Sequence, residues 1–223
     1  MIEQRVSVIL RCRNEERYIG HCLQSLDDFL YEPEIILLNN NSTDNSIRVV
    51  NTFDWMDIKK IQIDNDNYTP GRSLNIGVEE ASNPIILILS AHCELVEFDI
   101  DNVINAFDYK KTINNKVACI WGKQIPVWDG KRVTPRYIWS NFKDKDSWNY
   151  FCEAENRYFL HNAFAIYKRN YLEEFPFDER LSGKEDRYWA NDRIENGDGI
   201  YYDSKLVCKH HYTDGGATWK GVG

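Results

Sequence analysis

Three short, unbroken apolar runs constrain this chain most: Val6-Ser7-Val8-Ile9-Leu10, Ile35-Ile36-Leu37-Leu38 and Ile85-Ile86-Leu87-Ile88-Leu89. Each is too short for a buried helix and lacks the polar alternation of a half-exposed strand, so each reads as a strand covered on both faces. Each also runs directly into a polar cluster: Arg11 to Glu16, Asn39 to Asp44, and Ser90 to Glu94. Helical patterning fills the intervals, with Ile19, Cys22, Leu23 and Leu26 on one stripe and a second segment from Leu74 to Ala81. Ser42 or Thr43 stands where it would cap a helix reaching Val49 and Val50. Lys60-Ile61-Gln62-Ile63 supplies another strand and Pro70-Gly71 a turn. Alternating strands and helices predict an α/β, Rossmann-like fold with a mostly parallel sheet and helices on both faces. Ligands of such sheets bind beyond the carboxyl ends of the strands. The three polar clusters therefore share one edge.

The second half changes character. A helix is expected over 99–110 and a strand over 116–122. Residues 128–158 are rich in aromatics and turn formers, including Trp128-Asp129-Gly130-Lys131, Trp139 and Trp148. Those aromatics argue for an ordered, substrate-facing insert rather than disorder, with at least half of them packing on the sheet. A strand near Ala163 to Tyr167, a helix starting near Glu185, a strand near Gly199 to Tyr202 and a basic tail with His210-His211 complete the pattern. No linker or repeat divides the 223 residues, so one domain over 1–223 is expected.

The bulk numbers narrow the function classes. A net charge of −8 argues against a general nucleic-acid binder. No apolar run approaches the roughly 18 residues that span a bilayer. Met1-Ile2-Glu3-Gln4-Arg5 lacks the features of a secretory signal. Six scattered cysteines without a paired spacing read as free buried thiols. A cytoplasmic location is expected, with peripheral association at the inner face of a membrane left open.

Four segments, in order, carry a resemblance. Val6 to Glu16 resembles the opening of family 2 glycosyltransferases of GT-A fold, where the strand usually ends in Pro-Thr-Tyr-Asn-Glu. Leu38-Asn39-Asn40-Asn41-Ser42-Thr43-Asp44 resembles their second strand end, usually Val-Asp-Asp-Gly-Ser-Thr-Asp. Gly71-Arg72-Ser73-Leu74-Asn75-Ile76-Gly77 resembles the helix start before the metal strand. Asn162-Ala163, the stretch Phe177-Asp178-Glu179-Arg180-Leu181, and Gly183-Lys184-Glu185-Asp186 resemble the acceptor-side block with its acidic pair. The match covers about residues 5–211.

The resemblance implies inverting transfer of a sugar from a nucleotide sugar to an acceptor hydroxyl, a saccharide or glycolipid, in surface polysaccharide or glycoconjugate synthesis. Residues 1–98 would form the nucleotide-sugar half and 99–223 the acceptor half. Inversion needs a carboxylate to take the acceptor proton. Asp186 is the first choice for that base and Glu185 the second. Arg11, Arg13, Glu15, Asn39 and Asn41 would surround the base and ribose, with Arg72 reaching the phosphates. The family commonly has an acid at the Asn39 position. A neutral amide both donates and accepts, which suits a CMP- or CDP-linked donor, while a UDP-linked donor stays open.

The sharpest departure is Ser90-Ala91-His92-Cys93, standing where the family keeps Asp-x-Asp for Mn²⁺ or Mg²⁺. Ser90 falls at the first acid and His92 at the second. Three readings stand. His92 ligates a metal, helped by Glu94 or by His210 and His211. Or it acts without metal as a cation or hydrogen-bond donor to the leaving phosphate. Or it only caps the strand end. Two further functions compete, a catalytically lapsed nucleotide-sugar-binding protein and a nucleotidyltransferase. The retained Glu185-Asp186 pair weighs against the first, and the lack of glycine between Arg11 and Glu16 against the second.

Overall fold

The computed structural model describes residues 6–109, 116–128, 130–132 and 137–220. Lys110, at the end of the helix expected over 99–110, and Asp129 with 133–136 in the aromatic insert lie outside the described residues. So do Met1 to Arg5. The expected strands and helices alternate through the first half: β1 (Val6–Cys12), α1 (Ile19–Phe29), β2 (Glu34–Asn39), α2 (Ser46–Val50), β3 (Ile58–Gln62), α3 (Pro70–Glu80) and β4 (Ile85–Ser90). β5 (Cys93–Glu97), α4 (Ile100–Tyr109) and a long β6 (Val117–Trp128) follow. The insert holds short strands β7 (Lys131–Arg132), β8 (Ser147–Trp148), β9 (Phe151–Cys152) and β10 (Arg157–Tyr158). The chain closes with β11 (Phe164–Lys168), α5 (Arg169–Glu174), α6 (Glu185–Glu195), β12 (Gly199–His211) and α7 (Ala217–Lys220).

The main sheet runs β3-β2-β1-β4-β11-β6-β12-β5. β1 pairs in parallel with β2 and β4, β2 with β3, and β6 with β12; β11 and β5 run antiparallel to their neighbours. Successive residues of the central strands alternate between two cores, as a period of two requires. Val8, Leu10, Leu37 and Leu87 face one core with Ile19, Leu23 and Leu26 of α1 and Val103 and Phe107 of α4. Ile9, Ile36 and Ile88 face the other, with Leu74 and Val78 of α3, Leu172 of α5 and Trp189 of α6. Helices thus cover both faces. In the insert, Trp139 and Phe142 are buried in the second core, whereas Trp128, Tyr137, Trp148 and Phe151 stay exposed.

The crossing from β4 to β5 shapes the site. β4 is fourth in the sheet and β5 eighth, yet only Ala91 and His92 separate them. Four strand spacings in a flat sheet would need about 19 Å, whereas the three steps from Ser90 to Cys93 reach ~11 Å at most. The sheet therefore curls. β12 shifts register against β6 between Asp203 and Val207, and its second half carries β5 back over the carboxyl end of β4. The segment expected as a loop from Ser90 to Glu94 is a two-residue turn into a strand, and the expected basic tail is the buried end of β12.

The glycine and asparagine of the α3 segment lock that helix to the chain before α6. Asn75 Nδ2 donates to Phe177 O and Glu179 Oε1 at 2.9 and 3.0 Å, and its Oδ1 accepts from Phe177 N–H at 3.0 Å. A Cβ on Gly71 would lie 2.6 Å from Asp178 O, a backbone atom that cannot swing aside. Gly71→Ala is expected to destabilise the fold by about 1–3 kcal/mol, read as a lower urea midpoint at unchanged slope.

Candidate functional site

Four of the expected site residues are carried to the curled edge by the end of β1 and the turn after it, and by the turn between β4 and β5. Arg11 lies beside Ser90 in register, at the edge. Glu15 is buried, with its backbone N–H held by Ser46 Oγ at 2.7 Å. Its carboxylate turns to the β4–β5 turn, where Oε1 meets His92 Nδ1 at 2.9 Å. From there a chain of hydrogen bonds continues. His92 Nε2 lies 3.0 Å from His210 Nε2, His210 Nδ1 2.8 Å from Gln124 Oε1, and Gln124 Nε2 3.2 Å from His161 Nδ1. His161 Nε2 ends it on Thr218 Oγ1 at 3.1 Å.

The donor and acceptor roles along this chain follow from its ends. Ala163 N–H donates to His161 Nδ1, so that nitrogen carries a lone pair and Gln124 must offer it an N–H. The Gln124 oxygen then faces His210, whose Nδ1 must carry the proton. At the other end, a carboxylate only accepts, so His92 Nδ1 is also an N–H. Both Nε2 atoms are thereby left as acceptors, facing one another at 3.0 Å. Two lone pairs at that distance need a positive charge: a proton shared on the line between them, or a metal ion set to one side of it, since metal–imidazole bonds are about 2.0–2.1 Å long. Burial, with Arg187 next, pushes His161 down to about 3. Burial and the neighbouring histidines also hold His210 well below its ordinary value.

The donor set fits a divalent metal of borderline softness. Each imidazole has its outer nitrogen anchored by an oxygen, the arrangement that orients histidine ligands. Among the described residues no group of three or more His, Cys, Asp or Glu side chains is placed to hold a metal ion. Metals that serve nucleotide phosphates usually take only one or two protein ligands and complete their shell from phosphate and water. The other proposed helpers are occupied: Glu94 bonds Lys209 Nζ and His211 Nε2, both at 2.9 Å, and His211 stacks on Tyr18. Cys93 is fully buried, and burial raises its thiol, as packing requires.

The acidic pair opens α6, behind Lys184 in the left-handed region at φ 59°. Both carboxylates are about 95% buried. Asp186 Oδ2 accepts from Asn162 N–H at 2.9 Å and Arg187 Nη1 at 2.9 Å; Oδ1 accepts from Arg187 N–H at 2.8 Å and Nη1 at 3.0 Å. Burial pushes this carboxyl up, but Arg187, His161 and the Asn162 N–H outweigh it and keep Asp186 below the usual carboxylate range. Glu185 goes the other way. Burial dominates and Asp186 adds to it, so its carboxyl is raised despite Arg11, whose Nη1 lies 3.3 Å from Oε1. His161 belongs to the histidine chain and Asn162 to Asp186, so two adjacent residues join the facing imidazoles to the acidic pair.

A cluster of amides stands at the ends of β2 and β3. Asn39 Nδ2 donates to Gln62 Oε1 at 2.8 Å, its Oδ1 accepts from Ser42 N–H at 3.2 Å, and Gln62 donates to Asn41. Ser42 also accepts from Asn14 N–H at 3.1 Å, so it ties the two loops together rather than capping α2, whose N-cap is Asn45. Arg13 and Arg72 are exposed at the rim; the Arg72 N–H caps α3 on Thr69 Oγ1. Sequence reasoning missed Gln62, Gln124, Glu155 and Arg187. Gln124 lies just past the strand expected over 116–122, so nothing in the sequence pattern singled it out.

Known proteins share this frame. The solved structure of S. aureus TarS 1–349 with UDP-GlcNAc superposes with TM-score 0.69 at 20% identity, covering 95% of this chain and 60% of that one. The mannosyltransferase PcManGT from Pyrobaculum calidifontis, with GDP-Man and Mn²⁺, gives 0.66 at 18% identity over 97% of this chain and 59% of that one. GalNAc-T7 with UDP, GalNAc and Mn²⁺ gives 0.68 at 15% identity, over 95% and 44%. Among curated proteins, glycosyltransferase GlyA of Streptococcus pneumoniae serotype 4 is 26% identical over 119 residues, 53% of this chain but only 16% of that protein. The chain thus spans about a sixth of that relative and about 60% of TarS 1–349. The sequence matches the family described as Glycosyl transferase family 2 over residues 7–175, three quarters of its length, and the chain belongs to that family.

Proposed function

We propose that this chain is an inverting glycosyltransferase that moves a sugar from a pyrimidine nucleotide sugar to a saccharide or glycolipid hydroxyl. One observation carries the reading: the facing His92–His210 pair and the Glu185–Asp186 pair meet at one sheet edge, joined by His161-Asn162 and Arg11. Asp186 takes the acceptor proton as the hydroxyl oxygen attacks the anomeric carbon, and the nucleotide phosphate departs with the bonding electrons. Arg11, held by Glu185, places positive charge between the donor edge and the base. His92 and His210 would hold a divalent metal, which when bound supplies charge for the leaving phosphate. Neutral imidazole favours Mn²⁺ over Mg²⁺.

Asn39, Asn41 and Gln62 would read the base. Asn39 has a second amide hydrogen and a second lone pair beyond its bonds to Gln62 and Ser42, which suits the mixed donor and acceptor edge of cytosine or uracil. The proposed setting is surface polysaccharide or glycoconjugate synthesis, on the cytoplasmic face of a membrane. No helix among the described residues is long and apolar enough to cross one. The preserved acidic pair argues against a lapsed binder.

A thermal-shift panel of UDP, CDP, CMP, GDP and dTDP, each with and without Mn²⁺, tests the donor assignment. A ligand at a hundred times its Kd adds about 2.7 kcal/mol, or several degrees at about 2–4 °C per kcal/mol. The expected result is a shift for UDP or CDP that grows with Mn²⁺. A flat panel would remove the nucleotide site.

A further inference from the structure

Asp186 presents a difficulty as a base, because the four hydrogen bonds from its three donors, two of them from Arg187 Nη1, occupy all four of its lone-pair positions. The resolution lies on the far side of Arg187. This guanidinium is 1% exposed and lies over the Phe159 ring at 4.5 Å. It spends Nη1 on Asp186 and leaves Nε and Nη2 buried with no hydrogen-bond partner. Facing that bare edge is Glu155, on the β9–β10 hairpin, whose two carboxylate oxygens are likewise buried without a hydrogen bond. Its Oε2 lies 3.7 Å from Arg187 Nε and 3.7 Å from Lys184 Nζ. The Nε–Oε2 pair is thus within an ångström of a hydrogen bond, and the second donor and second acceptor, both orphaned, are the other two atoms of a bidentate fork, whose bonds would be about 2.9 Å long.

We propose that Glu155 is a positioning residue that draws Arg187 off Asp186, freeing lone pairs on the carboxylate for the acceptor hydroxyl. This rests on Asp186 being the base. A slide of the guanidinium across Phe159 by ~0.8 Å closes the fork and loosens the Nη1 bonds. The Asn162 and Arg187 backbone N–H bonds keep the carboxylate oriented meanwhile. The pull is electrostatic, so Glu155 also sets how basic Asp186 is. The other groups facing Asp186 are Glu185 on its own helix, Arg11 from β1, His161 before β11, and Tyr167 and Cys119 from β11 and β6. Glu155 is the acid among these surroundings that holds no hydrogen bond of its own.

Two measurements test this. The first is the pH profile of nucleotide release from UDP-GlcNAc and GDP-Man, with water as acceptor, for wild type, Glu155→Gln and Glu155→Asp. Without the Glu155 charge, Arg187 stays on Asp186. The acid limb is then expected to move down by about one pH unit, with kcat falling about tenfold and donor KM unchanged. Glu155→Asp keeps the charge and should recover most of both. A rate loss with an unmoved acid limb would make Glu155 merely structural and overturn the proposal. The second needs no turnover: a crystal structure of Asp186→Asn. With the neutral amide in place, Arg187 should close on Glu155 to ~2.9 Å; a gap still near 3.7 Å refutes the fork. If wild type releases nucleotide from neither donor and the nucleotide panel is flat, the proposed function fails, and the crystal structure still decides the role of Glu155.

Discussion

Asp186→Asn is expected to cut sugar transfer by about 10³-fold or more while nucleotide binding persists. The amide removes the acceptor of the incoming proton and leaves Arg187 buried beside a neutral group. Breaking a buried ion pair from one side costs about 3–5 kcal/mol, which closure of Arg187 on Glu155 would offset in part. Melting temperature and nucleotide affinity must therefore be measured with activity. A variant that is folded and binds nucleotide but does not transfer sugar identifies Asp186 as the base. Glu185→Gln is the necessary partner experiment. Glu185 holds Arg11 rather than carrying the proton, so its loss should lower the rate by about tenfold, the smaller of the two effects. The reverse order, with Glu185→Gln the dead variant, would move the base to the carboxylate whose affinity for protons is already raised.

The second large effect concerns the facing imidazoles. His92→Ala or His210→Ala should abolish Mn²⁺ binding in the presence of UDP, followed by titration calorimetry, and make residual activity indifferent to EDTA. Glu15→Gln touches neither Nε2, yet should weaken the metal by about 10- to 100-fold, because the carboxylate orients the ring and raises its basicity. Gln124→Leu should act similarly through His210. If wild-type activity survives EDTA and no Mn²⁺ binding is found, a shared proton occupies the space between the rings. Glu15→Gln then acts by removing the carboxylate that pairs with that charge.

The first half of the fold was legible because buried parallel strands are written as continuous apolar runs. β1, β2 and β4 fall where Val6 to Leu10, Glu34 to Leu38 and Ile85 to Leu89 placed them. The start of α6 at Glu185 was legible as well. The far half of the sheet was not. β6 runs on to Trp128 through Gly122, Lys123, Gln124 and Pro126, which read locally as the end of a strand. β12 runs on to His211 through Asp203, Ser204 and Lys205, where it bulges. Gln124 and His210 in these extensions face the site, while Lys123, Asp203 and Ser204 serve surface pairs with 144–146 and the bulge, so polar residues of both kinds hide the strand. The same logic explains which site residues were missed. Glu155 and Arg187 gain their meaning only from the packing of a hairpin against a helix, which no spacing encodes.

The bulge between Asp203 and Val207 sits just upstream of two adjacent histidines that point to opposite faces of β12: His210 toward His92, and His211 toward Tyr18. A one-residue slip exchanges the faces of a strand. Losing a residue within the bulge would bring the imidazole of His211 to the position of His210, whereas gaining one would bring the ammonium of Lys209. Length variation at this point is therefore asymmetric: a deletion preserves an imidazole facing His92, and an insertion replaces it with a fixed cation.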